Sequence, residues 1–253
     1  MTTKTLDEYF RKILDIEGFS GVDPSLNGLQ VDNDGAEVTK IVFAVDACME
    51  SFKRAAAAGA GMIFVHHGLF WGAARRVEGA YRERLKFLLS SNLALYAVHL
   101  PLDEHPELGN NAELARLLGL KNLERFGTCF GRKVSFKGTL DKPLTVHEAA
   151  QRIAFDSSPP AAILPFGKAL NETCALISGG AAHEAEQAAE EGVDLYVTGE
   201  TAHEVYHLAQ ESKLNIVAGG HYATEVWGVK KLAQKCAADV SIDTEFIDVP
   251  TGL

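Results

Sequence analysis

Met62-Ile63-Phe64-Val65-His66-His67-Gly68 joins a short apolar run to two adjacent imidazoles and a glycine. The apolar run reads as a buried strand. Neighbours along a strand point to opposite faces, so one histidine is expected buried and the other wet, unless the chain turns and aims both at one place. Gly68 permits that turn. Histidine is the commonest side-chain metal ligand, so two of them at a strand mouth suggest a metal.

The same rhythm runs outward on both sides. Before the run lie an amphipathic helix marked by Leu6, Phe10, Ile13 and Leu14, a polar loop over 18–37, a strand over 41–45 and a helix over 49–58. After it come a helix over 82–89, with Leu85, Leu88 and Leu89 inward, a strand over 93–98 and a helix over 112–118 closed by Gly119. Strands alternating with helices imply a parallel sheet with helical crossovers. Residues 123–140 alternate as antiparallel strands do, 146–155 reads as helix, and Ser157-Ser158-Pro159-Pro160 breaks the chain. The α/β rhythm then resumes, with strands over 174–177, 193–197, 215–218 and 240–249 and helices over 183–190, 201–210 and 224–237.

Residues 41–68 and 173–200 align without a gap, and each reads strand, Ala-rich helix, turn, strand. The fold expected is α/β, with two similar lobes of mostly parallel sheet and a metal site between them. The first lobe is drawn over 1–122 with 219–253, the second over 123–218.

Size and composition set limits. The chain has 253 residues, 47% hydrophobic and 23% charged, as in an ordinary globular protein. The net charge is −10 and no Lys/Arg-rich run is present, which disfavours a nucleic-acid surface. No window reaches the length of a membrane span, and the N-terminus lacks a signal-peptide core. Cys48, Cys129, Cys174 and Cys236 are widely spaced, which suits buried, reduced thiols in the cytoplasm.

Ligands in open α/β sheets gather at the carboxyl ends of strands. His66, His67, His99, Asp103, Glu200, His203, His221 and Glu225 all fall at such ends. His221 and Glu225 follow Gly219-Gly220 and share a side through one helical turn; a solvated ion pair is the plain alternative. Asp103 suits bridging two ions, or capping a turn. His99 is read as a donor that orients Asp103, with direct ligation as the alternative. Glu200 and His203 are candidates for moving protons. Phe70 and Trp71 read as core packing, with a pocket wall as the alternative. His105, His147, His183 and His207 lack such context and read as surface residues.

Taken in order, Val65-His66-His67-Gly68-Leu69-Phe70-Trp71, His99-Leu100-Pro101-Leu102-Asp103, Thr198-Gly199-Glu200 with His203, and Gly220-His221-Tyr222-Ala223-Thr224-Glu225 resemble the Nif-three-like dinuclear metal-centre family. Asn27-Gly28-Leu29-Gln30-Val31 and Phe246-Ile247-Asp248-Val249-Pro250 extend the resemblance along nearly the whole chain. Bacterial members carry the label GTP cyclohydrolase I type 2 homologue. The resemblance implies two metal ions held by His66, His67, Asp103, His221 and Glu225, two α/β lobes, and a homohexameric ring. It departs at one place, where a shorter acidic residue than Glu200 is also familiar. Some relatives carry an inserted domain mid-chain, for which 123–165 leaves only a short connection.

Five such ligands leave open positions on two ions, as in catalytic sites. The function expected is metal-dependent hydrolysis of a nucleotide or other small molecule, with iron, manganese, zinc or nickel all compatible. A non-enzymatic metal-handling or metal-sensing protein and an interaction scaffold are the alternatives.

Overall fold

A computed structural model describes all 253 residues. The chain divides into two compact units, 1–102 with 229–249, and 103–228 with 250–253. Residues 103–122 and 219–228, drawn with the first lobe from sequence, cluster with the second.

The first unit is built on a five-stranded sheet, β1 (Gly28–Val31), β2 (Lys40–Asp46), β3 (Met62–His67), β4 (Ala94–Ala97) and β11 (Asp243–Phe246), in the order β1-β4-β3-β2-β11. All its pairings are parallel except β1 with β4. Central parallel strands are covered on both faces, and their side chains divide accordingly. Val42, Ile63, Val65 and Leu95 pack with Phe52 of α2 (Met49–Ala57) and Leu88 of α3 (Gly79–Ser90). Phe43, Phe64 and Tyr96 point the other way; Phe64 and Tyr96 meet Phe10 of α1 (Thr3–Ile13) and Phe43 packs on Phe64, with ring centroids 4.8–5.7 Å apart.

The second unit holds a six-stranded sheet, β5 (Leu120–Cys129), β6 (Arg132–Leu144), β7 (Ala162–Pro165), β8 (Asn171–Leu176), β9 (Leu195–Thr198) and β10 (Asn215–Ala218), in the order β5-β6-β8-β9-β10-β7. It is mixed: β8-β9 and β9-β10 are parallel, and the other pairings are antiparallel. Leu176, Leu195 and Val197 pack with α5 (Asn110–Leu118) and α6 (Val146–Ile153). Ala175, Tyr196 and Ile216 pack on the opposite side with α7 (Ala185–Glu190) and α8 (Val205–Ser212). The chain passes between units inside α4 (Leu100–Glu104) and inside α9 (His221–Val240). No helix is long and apolar enough to cross a membrane.

The repeat seen in sequence is a repeat of topology. The order β1-β4-β3-β2 recurs as β7-β10-β9-β8, with the first strand antiparallel in each. Register partners Ile41 and Met62 have the same sequence separation as Cys174 and Leu195, so the two stretches align without a gap.

Several expectations are corrected. β1 lies inside the segment read as loop, and β7 follows the Pro-Pro breaker; both are short edge strands amid turn residues. Leu89 is 67% exposed whereas Leu88 is fully buried, because α3 offers the core a narrow stripe. α8 begins at Val205, leaving 201–204 as a turn. All four cysteines are free; Cys174 and Cys236 are buried, Cys48 and Cys129 half-buried.

Candidate functional site

In the first unit the polar residues collect where β2, β3 and β4 end. His66 is fully buried like the rest of β3, and His67, the last residue of the strand, is half-buried. Both lie within β3, so the chain turns after them. His66 Nδ1 donates to the Val98 carbonyl at 3.0 Å. His67 Nδ1 donates to Asp46 Oδ1 at 2.9 Å, the two residues being register partners across β2 and β3. His99 follows β4, and its Nδ1 donates to Asp23 Oδ1 at 2.9 Å. Asp23 also accepts from the backbone of Ser25 and Leu100 and from Asn27 Nδ2, all at 2.9 Å. Desolvation works against the Asp23 carboxylate, but His99, Asn27 and Ser25 outweigh it and hold its pKa below the usual value.

The three rings are neighbours, with centroids 4.6–5.8 Å apart. A ligand atom of each lies within 4.8 Å of the others. A carbonyl or carboxylate on Nδ1 fixes the tautomer that carries the lone pair on Nε2, which is how metal-binding histidines are commonly oriented. These residues therefore fit a transition-metal cation.

Asp103, Glu200, His221 and Glu225 belong to the second unit. Asp103 sits in the short helix α4, past the end of β4, and is 5% exposed. Its Oδ1 accepts from Asn110 Nδ2 at 2.8 Å and Ser178 Oγ at 3.2 Å, so the orienting role expected of His99 is filled by these two. Asn110 is fully buried and its own Oδ1 accepts from Gly228 N at 2.8 Å.

His221 and Glu225 open α9. His221 Nδ1 lies 2.5 Å from Glu200 Oε1, and Nε2 lies 3.2 Å from Glu225 Oε2. Burial lowers the His221 pKa, but Glu225 and Glu200 override it and push it up to about 9. Glu225 is 3% exposed. Glycines allow that packing. A Cβ on Gly179, whose φ is +67°, would stand 2.1 Å from Glu225 Oε1, and one on Gly199 would stand 2.8 Å from the His221 Cα. Thr224 Oγ1 accepts from Gly179 N at 3.0 Å and ties that loop to the helix.

Glu200 is thus a partner of His221, with its side chain half exposed. His203 stands exposed in the turn before α8, apart from these groups. Phe70 packs on the core as expected, but Trp71 is 39% exposed. Its indole N–H donates to the Gly68 carbonyl at 2.8 Å and its ring meets His99 edge-on, with centroids 5.0 Å apart. His147, His183 and His207 are exposed, while His105 accepts two backbone N–H groups in a turn. Sequence reading missed Asp46, Asp23, Asn110 and Ser178. Asp46 and Ser178 follow the strand-end rule that found the histidines; Asp23 and Asn110 gave no local signal.

Comparisons agree with this architecture. Proteins described as GTP cyclohydrolase 1 type 2 homologs are 41% identical over 286 aligned positions in Treponema pallidum, covering all of both chains, and 44% identical over 231 in Archaeoglobus fulgidus, covering 91% of this chain and 92% of that one. Among solved structures, protein ybgI, described as of unknown function, has a TM-score of 0.91 at 34% identity, and TTHA1606 from Thermus thermophilus has 0.89 at 38%; each match covers 100% of both chains. The Duf34/NIF3 (NGG1p interacting factor 3) family model matches residues 1–251. With its two α/β sheets and its strand-end imidazoles and carboxylates, the chain belongs to the Duf34/NIF3 family.

Proposed function

We propose that this protein is a metal-dependent hydrolase of a nucleotide or another small molecule, with two divalent cations held jointly by His66, His67, Asp103, His221 and Glu225. The observation that carries the reading is the pinning of imidazoles through Nδ1 by oxygen acceptors at the ends of β3 and β4. The names of the curated relatives support a nucleotide-related substrate. Iron, manganese, zinc and nickel all suit such a donor set.

When bound, divalent cations acidify water and polarise a scissile bond. Asp46 accepts from His67 Nδ1 and so keeps its lone pair on Nε2, and Glu200 would do the same for His221 once a cation takes the place of the proton on Nε2. Asn110 and Ser178 fix one oxygen of Asp103, so the rest of the carboxylate can serve a cation. Glu200, half exposed beside His221, is the better candidate to accept or return a proton at its carboxylate. His203 is the second candidate and acts from the exposed turn, where it needs a substrate to reach it. The resemblance further suggests a homohexamer, and the free thiols suit the cytoplasm.

The test is elemental analysis of protein purified without chelator, paired with a hydrolysis screen over nucleotides and phosphoesters. Wild type is expected to hold two equivalents of metal, and His66→Ala and Asp103→Ala to lose them together with turnover. Metal content that is substoichiometric in wild type and unchanged in Asp103→Ala overturns the assignment. Full metal loading with no turnover on any compound favours a metal-handling protein.

A further inference from the structure

We propose that His99 is itself a metal ligand, the third imidazole of the first unit, and that Asp23 is its positioning residue. The inference rests on the metal reading above and adds a residue to its ligand set.

His99 receives the same treatment as His66 and His67. Its Nδ1 is committed to an oxygen acceptor, so its lone pair lies on Nε2. Its ring packs 5.1 Å from His66 and 5.8 Å from His67, and its ligand atom lies within 4.8 Å of theirs. The backbone is fixed as well: His99 N–H donates to Asn27 Oδ1 at 2.8 Å, and Leu100 N–H to Asp23 Oδ2 at 2.9 Å. One buried carboxylate thus spends all four of its contacts on the segment carrying this imidazole and on the loop that faces it. A merely structural histidine does not need its tautomer set in register with two others. Trp71 closes the outer side of the ring, and its own N–H is occupied by Gly68.

A set of three neutral nitrogens selects the kind of cation. It favours borderline ions such as zinc, cobalt, nickel or ferrous iron over magnesium or calcium, which prefer oxygen donors. Asp23 and Asp46 supply negative charge one step behind the rings without occupying a coordination position.

The experiment uses the full chain, stripped of metal and titrated with cobalt(II) alone. Visible absorption gives affinity, and X-ray absorption counts the imidazole nitrogens bound per chain. The variants are His99→Ala, His99→Gln, Asp23→Asn and, as control, Asp103→Ala. The expected result is one fewer bound imidazole in both His99 variants, with affinity for one equivalent down by more than about 100-fold. Asp23→Asn should keep the imidazole count and lose about 10–100-fold, the usual effect of removing an outer partner. Millimolar magnesium should not displace the cobalt. Melting of the metal-free His99→Gln chain at the wild-type temperature separates ligation from folding. Unchanged imidazole count and affinity in both His99 variants overturn the inference; if Asp103→Ala still loses metal, the metal reading survives it. If neither His99 nor Asp103 variants lose metal, both readings fall.

Discussion

The two sheets share one strand order but carry their polar groups differently. In the first, the donors stand on and just after the strands: His66 and His67 in β3, His99 after β4, with Asp46 at the end of β2. In the second, the strands matching β3 and β4 are followed by Gly199 and Gly219-Gly220, His221 and Glu225 ride on the first turn of α9, and Asp103 sits in α4. The difference is one of space. A strand sends neighbouring side chains to opposite faces, so the two adjacent histidines meet different surroundings: His66 is buried, and His67, at the strand end, reaches Asp46. A helix places residues four apart on one side, so His221 and Glu225 meet, but their approach needs glycine backbone beside them. One topology therefore places candidate ligands at strand ends in one copy and by helical periodicity in the other.

That contrast can be broken experimentally, and the largest effect should come from the donors. His66→Ala removes a fully buried imidazole and should weaken metal binding by more than about 100-fold, beyond the loss typical of an outer partner; Glu225→Ala should match it. Equal metal affinity in either variant, by calorimetric titration, would break the comparison on that side. Next comes backbone. Gly179→Ala should lower stability by about 2 kcal/mol or more, since the new methyl meets Glu225 at a positive φ. At Ala47, the equivalent position in the first repeat, Ala→Gly should cost only about 1 kcal/mol. Urea denaturation of both variants measures the asymmetry.

The orienting carboxylates should give a smaller and more even response. Asp46→Asn and Glu200→Gln should each weaken metal binding about 10–100-fold while leaving the imidazole count unchanged. A change confined to one of them would show that only one half relies on its carboxylate. The smallest effect belongs to a surface position: Leu89→Ala should stay within about 0.5 kcal/mol of wild type, whereas Leu88→Ala, one residue earlier, should cost about 2–5 kcal/mol.

The Leu88 and Leu89 pair marks where sequence reading stops. Periodicity locates α3 but cannot say which of two adjacent leucines the narrow stripe takes. Central strands such as β2, β3 and β10 are legible because burial on both faces writes an apolar run. β1 and β7 are not, because an edge strand of four residues among Gly, Pro and Asn carries no such run. His66, His67, His221 and Glu225 can be proposed from local context. Their supports cannot: Asp23 reaches His99 across 76 positions and Ser178 reaches Asp103 across 75, and no local pattern encodes such a pairing. The surroundings of His99 are hidden for the same reason, since its partner Asp23 lies in a loop that gives no signal.

The interleaving of the units carries a consequence for biosynthesis. β11, which flanks β2, and the second half of α9 follow residues 103–228 in the chain and so leave the ribosome after them. Residues 103–228 are by then already available, so the sheet begun second can close first, against the usual N-to-C order of domain folding. Until β11 is made, β2 keeps an unpaired apolar border that a chaperone or a neighbouring nascent chain can capture, and nonsense truncation near residue 240 would disable the unit begun first.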